Sequence, residues 1–204
     1  MKCALCKDKD CYTGKDCTGK AEEIATGYEG ADLDALRTAS EIEATYYMQK
    51  TRIEELVIFA RRMGYKKLGI AFCIGLKNEA WALHQILEKG FETHSVCCKV
   101  CGMDKSKFKV PRLHKDTTGI EAICNPMGQA KVLNGEGTDL NIILGLCIGH
   151  DILFTKHSKA PVTTIAVKDR VLAHNPLGAI YSGYYTKRLE KAVQDGKVAP
   201  DARK

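Results

Sequence analysis

With 204 residues, 45% of them hydrophobic and 27% charged, the chain has the composition of a globular protein with one good-sized core. No apolar stretch reaches the roughly 18 to 20 residues a membrane-spanning helix needs, since IILGLCIG is stopped by His150 and Asp151. The net charge of +6 is scattered, 31 Lys and Arg among 25 acids, so neither a membrane nor a nucleic acid is an expected partner.

The segment before Lys20, MKCALCKDKDCYTGKDC and its flank, has neither the apolar region of a secretory signal nor the look of a transit peptide, which predicts a cytoplasmic protein. It also lacks apolar periodicity and cannot fold by burying surface, so it needs another organiser, such as a bound ion. From Asp32 to Met63, Leu33, Leu36, Ile42, Tyr46, Ile53, Leu56, Val57 and Ala60 recur at helical spacing, and Gly64 reads as a C-cap. One long helix or two joined ones are expected.

After Gly64 strands and helices alternate. KKLGIAFCIG is a buried-type strand, KNEAWALHQILEKG a helix, FETHSVCCKVC a second strand, NIILGLCIG a third and VTTIAVKD a fourth. Helices are expected after Pro126, over 151–159, and from Pro176 to about Val193. The fold class is therefore α/β, a Rossmann-like or flavodoxin-like parallel sheet with helices on both faces. The long insertion between strands two and three leaves room for a return past strand one, giving the order 2-1-3-4. The expected domains are a metal-binding segment over 1–20, one α/β domain over 21–194 and a flexible tail over 195–204.

Ten cysteines in a chain with no sign of export favour metal binding or redox chemistry over a disulfide framework. Two of them end strands in the same tripeptide, Cys73-Ile-Gly and Cys147-Ile-Gly. In the order 2-1-3-4 these strands are neighbours at the switch point, where open α/β sheets bind ligands beyond the carboxyl ends of their strands. Cys124 precedes Asn125 and Pro126, an N-cap and first helical position, where the helix dipole favours a thiolate. His174 stands likewise before Asn175 and Pro176, and reads first as a satisfied loop histidine. Of the adjacent Cys97 and Cys98 only one can face a given site; Cys98 is chosen, which makes Cys73, Cys98, Cys124 and Cys147 a candidate cofactor site.

Cys3-x2-Cys6-x4-Cys11-x5-Cys17 is a single wrapped loop rather than the two separated pairs of a zinc ribbon. It is the sharper metal signal, and an iron-sulfur cluster, 4Fe-4S first, is expected ahead of zinc. Lys7, Lys9, Lys15 and Lys20 would offset the cluster's negative charge. His150, Asp169 and Arg170 are weaker candidates for acid-base work or for holding an anion, and Asp151 reads as an N-cap. No nucleotide-binding or hydrolase motif is present.

The amino-terminal cysteine spacing, CNPMGQAKVLN, the stretch LGLCIGHDILFTKHSKAPVTTIAVKDRVLAHNPLGAIY and the length together resemble domain of unknown function 1847, a cysteine-rich family of anaerobic bacteria and archaea often described as metal-binding. The resemblance implies metal binding for Cys3, Cys6, Cys11, Cys17, Cys73, Cys124 and Cys147, and no reaction. Two functions are carried forward. One is an iron-sulfur protein that moves electrons or senses redox state, with an unknown redox partner. The other is a Rossmann-like enzyme with a cysteine-bound metal and a small anionic ligand. A homo-oligomer is compatible with both.

Overall fold

The computed structural model describes residues 1–113 and 118–196, and its packing divides the chain into two compact units, Met1–Met63 and Gly64–Lys204. The division falls between Met63, the C-cap residue, and Gly64. Beyond Gly196 the expected tail lies outside the described residues, as do positions 114–117 of the basic insertion.

In the first unit two 3-10 turns, Cys3–Leu5 and Asp10–Thr13, are followed by α1 (Ala21–Thr26), α2 (Gly30–Tyr46) and α3 (Arg52–Arg62). The long periodic stretch is thus two helices. Thr51 interrupts it: its hydroxyl accepts from Glu54 N–H at 3.4 Å while Glu54 Oε2 accepts from Thr51 N–H at 2.8 Å, a capping box that starts α3 afresh. α2 and α3 pack together, and Ile42, Leu56 and Ala60 are buried.

The second unit is a parallel sheet in the order β2-β1-β3-β4, as expected. Its elements are β1 (Lys67–Phe72), α4 (Lys77–Leu87), β2 (Glu92–Cys97), α5 (Pro126–Glu136), β3 (Leu140–Leu146), α6 (His150–His157), β4 (Val162–Val167), α7 (Leu177–Tyr181) and α8 (Gly183–Gln194). Right-handed crossovers that run one way from β1 to β2, and the other way from β2 through β3 to β4, place α4 on one face and α5 and α6 on the other. Every residue of β3 is buried, as a central strand covered on both faces requires. The core on the α5 and α6 side is built from Ala71, Val96, Ala130, Leu133, Ile143, Leu146 and Phe154, and it takes in Cys73 and Cys98.

Two buried polar side chains stitch this core. Gln129 of α5 donates to Val96 O at 2.7 Å and Phe72 O at 3.2 Å, tying the ends of β2 and β1 together. Asn141 is held by Thr138 and Ser158, each at 2.8 Å. Near its end β3 bulges: the pairing with β4 slips around Leu144, and Gly145 adopts φ +73° there.

Three local features differ from expectation. Gly149, at φ +85°, caps α6, so Asp151 lies in the first turn and accepts from Ile152 N–H. The closing helix breaks at Ser182. Asn125 caps α5 through Gly128 N–H at 2.8 Å, but Asn175 gives α7 no side-chain bond. No described helix is long and apolar enough to cross a membrane.

Candidate functional site

Both Cys-Ile-Gly tripeptides fall immediately beyond strands that lie side by side: Cys73 follows β1 and Cys147 follows β3. Cys98 N–H donates to Phe72 O at 2.8 Å, which sets Cys98 beside the end of β1, and Asn125 N–H donates to Cys98 O at 2.8 Å, which brings Cys124 alongside. Val96 and Cys98 lie in the same core as Ala71 and Cys73, and the partly buried Cys97 packs against its edge. Three distant parts of the chain thereby deliver thiols to one place.

The contacts are sulfur to sulfur. Cys98 and Cys124 Sγ are 3.8 Å apart and hydrogen bonded, and Cys73 is buried in the same cluster as Cys98. Cys98 Sγ also accepts from Ile74 N–H at 3.3 Å. His150 lies close enough for its charge to act on Cys124. Cys147 joins through a cation, with Arg170 Nη2 3.3 Å from its sulfur.

Lys99 Nζ is 3.4 Å from Cys124 Sγ and is anchored on Ala122 O at 2.7 Å. Lys168 lies over Gly75, and its charge acts on Cys73. Neither lysine was singled out from the sequence. Their signal was position alone, Lys99 directly after Cys98 and Lys168 at the end of the fourth strand.

This arrangement separates the three thiols electrostatically. The Cys98 hydrogen bond, aided by Gly75 N–H and Lys168 against the cost of burial, lowers Cys73 to about 5. When the single Cys98 proton is turned to Cys124 instead, that bond, then His150 and Lys99, lowers Cys124 to about 3, again against burial. Cys98, placed between two thiolates and buried, is driven far up and keeps its proton. The Cys124 thiolate in turn raises His150.

A pH dependence follows for metal-free protein. Cys73 and Cys124 have folded values below the ordinary 9.0, so their contribution to stability is complete above about pH 9 and lost as the pH falls through about 5 and then 3. His150 acts oppositely, its contribution being present below 6.5 and lost as the pH rises through its raised folded value. Urea midpoints are therefore expected to rise from pH 5, with the rise blunted above 6.5. A midpoint falling steadily between pH 5 and 9 would contradict the thiol assignment.

The amino-terminal cysteines are placed differently. Cys3, Cys6, Cys11 and Cys17 are all exposed. Lys9 folds its ammonium back onto the carbonyls of Cys3 and Cys6, the second at 2.6 Å, and Lys15 pairs with Asp10 at 3.1 Å. Asp16 organises the turn around Cys17 by accepting from Thr18, Gly19 and Ala21 N–H, and these bonds, with the Thr18 hydroxyl foremost, lower it to about 2. Among the described residues no three or more His, Cys, Asp or Glu side chains are spaced to hold a metal ion. That covers both the amino-terminal loop and the switch point.

The weaker candidates also acquire roles. Asp169 Oδ1 accepts from Val171 and Leu172 N–H at 2.9 and 2.8 Å, so its carboxylate shapes the loop after β4. Asp169 N–H donates to His174 Nδ1 at 3.1 Å, which makes His174 an anchored loop histidine. Cys97 accepts from Lys99 N–H at 3.5 Å, and Cys101 is exposed at φ +71°.

Comparison with known proteins agrees with the motifs. A protein of Methanocaldococcus jannaschii described as "Uncharacterized protein MJ0455" is 59% identical over 191 residues, covering 93% of this chain and 98% of that one. No solved structure matches the chain. The family model described as "Protein of unknown function (DUF1847)" matches residues 11–165, a span that takes in Cys11, Cys17 and all four switch-point cysteines. With most of its length matched, the chain belongs to the DUF1847 family.

Proposed function

We propose that the protein is an iron-sulfur redox protein, with one thiolate centre at the switch point, held by Cys73, Cys98, Cys124 and Cys147, and a second held by Cys3, Cys6, Cys11 and Cys17. The observation that carries the first centre is the 3.8 Å separation of Cys98 and Cys124 Sγ. A tetrahedral ion with metal–sulfur bonds of about 2.3 Å has sulfur–sulfur edges of about 3.8 Å, so this pair fits two thiolates on one iron, as in a single-ion centre or at one end of a 2Fe-2S cluster, rather than a 4Fe-4S cluster, in which each thiolate binds a different iron. Cys73 and Cys147 would have to draw closer to this pair on binding to complete a four-thiolate set of the soft kind that iron-sulfur groups and zinc prefer.

The surroundings support a redox role over a purely structural one. When bound, the group would supply one-electron chemistry at a potential set by charge, solvent and hydrogen bonds to its sulfurs. Ile74 N–H donates to Cys98, Lys99 Nζ to Cys124 and Arg170 to Cys147. These donors, with the nearby charge of Lys168, offset the negative charge of the thiolates and favour an added electron. The exposed amino-terminal loop would then face an electron-exchanging partner.

Protein purified without oxygen is expected to contain iron and acid-labile sulfide and to absorb visible light through thiolate-to-iron charge transfer. A colourless protein holding stoichiometric zinc would remove the iron-sulfur assignment and leave a zinc-thiolate centre.

A further inference from the structure

A cleft of about 410 Å³ opens beside Cys73, between the turn after β1 and the loop after β4. Its walls are Cys73, Ile74 and Gly75 on one side and Lys168, Asp169, Arg170 and His174 on the other. We propose that this cleft binds a small metabolite through its oxyanion group, a carboxylate or a phosphate, with Lys168, Arg170 and His174 as the recognising residues. The proposal goes beyond the metal centre and stands on the cleft's own residues.

Three features argue for an anion. Lys168 and Arg170 bring two cationic groups to one wall, and the acid between them, Asp169, has Oδ1 committed to the backbone N–H groups of Val171 and Leu172. Arg170 reaches Cys147 through Nη2, and a guanidinium fork has further N–H donors beyond that one. His174 accepts from Asp169 N–H at Nδ1, so the neutral ring must carry its proton on Nε2 and is fixed as a donor there. A cation pair and a neutral donor match the demands of a carboxylate or phosphate oxygen set.

Gly75 makes the arrangement dependent on a missing side chain. A Cβ at Gly75 would lie 2.9 Å from Lys168 Nζ, so the ammonium occupies space that any other residue would fill. The volume sets the ligand's scale, since clefts of this size accommodate a small organic molecule rather than a bare ion alone. Position agrees too, because the cleft lies beyond the carboxyl ends of β1 and β4 at the switch-point side of the sheet.

Titration calorimetry at constant ionic strength, with inorganic phosphate in one arm and acetate in the other, tests this on the full chain. One-to-one binding of either probe is expected, the tighter probe naming the group. Lys168→Met and His174→Gln should each weaken it about tenfold or more, as loss of a charged or oriented hydrogen bond does. Gly75→Ala keeps every charge but displaces Lys168, and should weaken binding similarly with the fold intact. Lys131→Met on the exposed face of α5 serves as the control for diffuse charge. Arg170 is left unaltered because it also contacts Cys147.

Silence with both probes, or equal weakening by Lys131→Met, would overturn the proposal. Metal measured on the same samples separates the two assignments. Binding by metal-free protein supports the cleft even if no metal centre exists, whereas a filled metal centre without probe binding removes the cleft alone.

Discussion

Protein carrying Cys98→Ser is expected to lose its switch-point metal, with affinity falling by more than about 100-fold, beyond the loss typical of an outer-shell change. The reason is position. Cys98 is 2% exposed, its sulfur is 3.8 Å from that of Cys124, it shares a buried cluster with Cys73, and Ile74 N–H fixes its own sulfur. Serine keeps the shape but offers an oxygen that holds neither soft metal nor two thiolates. Exchange of a buried thiol for a hydroxyl without matched partners is expected to cost about 1–3 kcal/mol in addition. Cys97→Ser is the comparison: Cys97 packs only against the edge of the cluster and its sulfur accepts from Lys99 N–H, so metal content should fall far less. Metal and sulfide per chain in the two variants check the prediction, and equal losses would contradict it.

Gly145→Ala is expected to lower stability by about 2–4 kcal/mol. Two costs combine at this residue. Its φ of +73° is one that residues with a Cβ rarely adopt, and a Cβ would come within 1.8 Å of Leu76 Cδ1. Leu76 is buried at the start of α4, directly after the Cys73 turn, so its displacement is transmitted to the thiol cluster as well. A urea midpoint for Gly145→Ala close to that of the parent protein would show that the bulge can be straightened. Loss of metal together with stability would show that the bulge positions the site.

Much of the second unit was legible because topology follows from connection lengths. The long stretch between β2 and β3 gives the return past β1, and right-handed crossovers then fix which face each helix covers. Strand alternation said only that one of Cys97 and Cys98 faces a given site, and did not say which. The bulge was not legible either, because Gly145 inside an apolar run looks like any small core residue and its φ depends on how β4 pairs. The break between α2 and α3 was written in Thr51 and Glu54, at the spacing of a capping box, but the continuous apolar periodicity around it obscured the signal.

Charged groups at the site were harder to foresee for a physical reason. Lys99 and Lys168 are two among 31 basic residues, and a cation acquires a role only when the backbone brings a thiolate within reach. Asp169 illustrates the opposite case. It sits at the expected edge, yet its carboxylate oxygen is engaged by the turn it shapes. In the amino-terminal loop no buried residue fixes the positions of Cys3, Cys6, Cys11 and Cys17, so local turns and hydrogen bonds determine the conformation. A ligated ion would be expected to reorganise such a segment on binding.

The most direct test is the metal content of protein in which Cys3, Cys6, Cys11 and Cys17 are all serine, purified without oxygen. Convergence of thiols at the ends of β1, β2 and β3 predicts that one thiolate-bound centre per chain remains, and that adding Cys98→Ser abolishes it. Folded but metal-free protein from the four-serine variant would contradict the account.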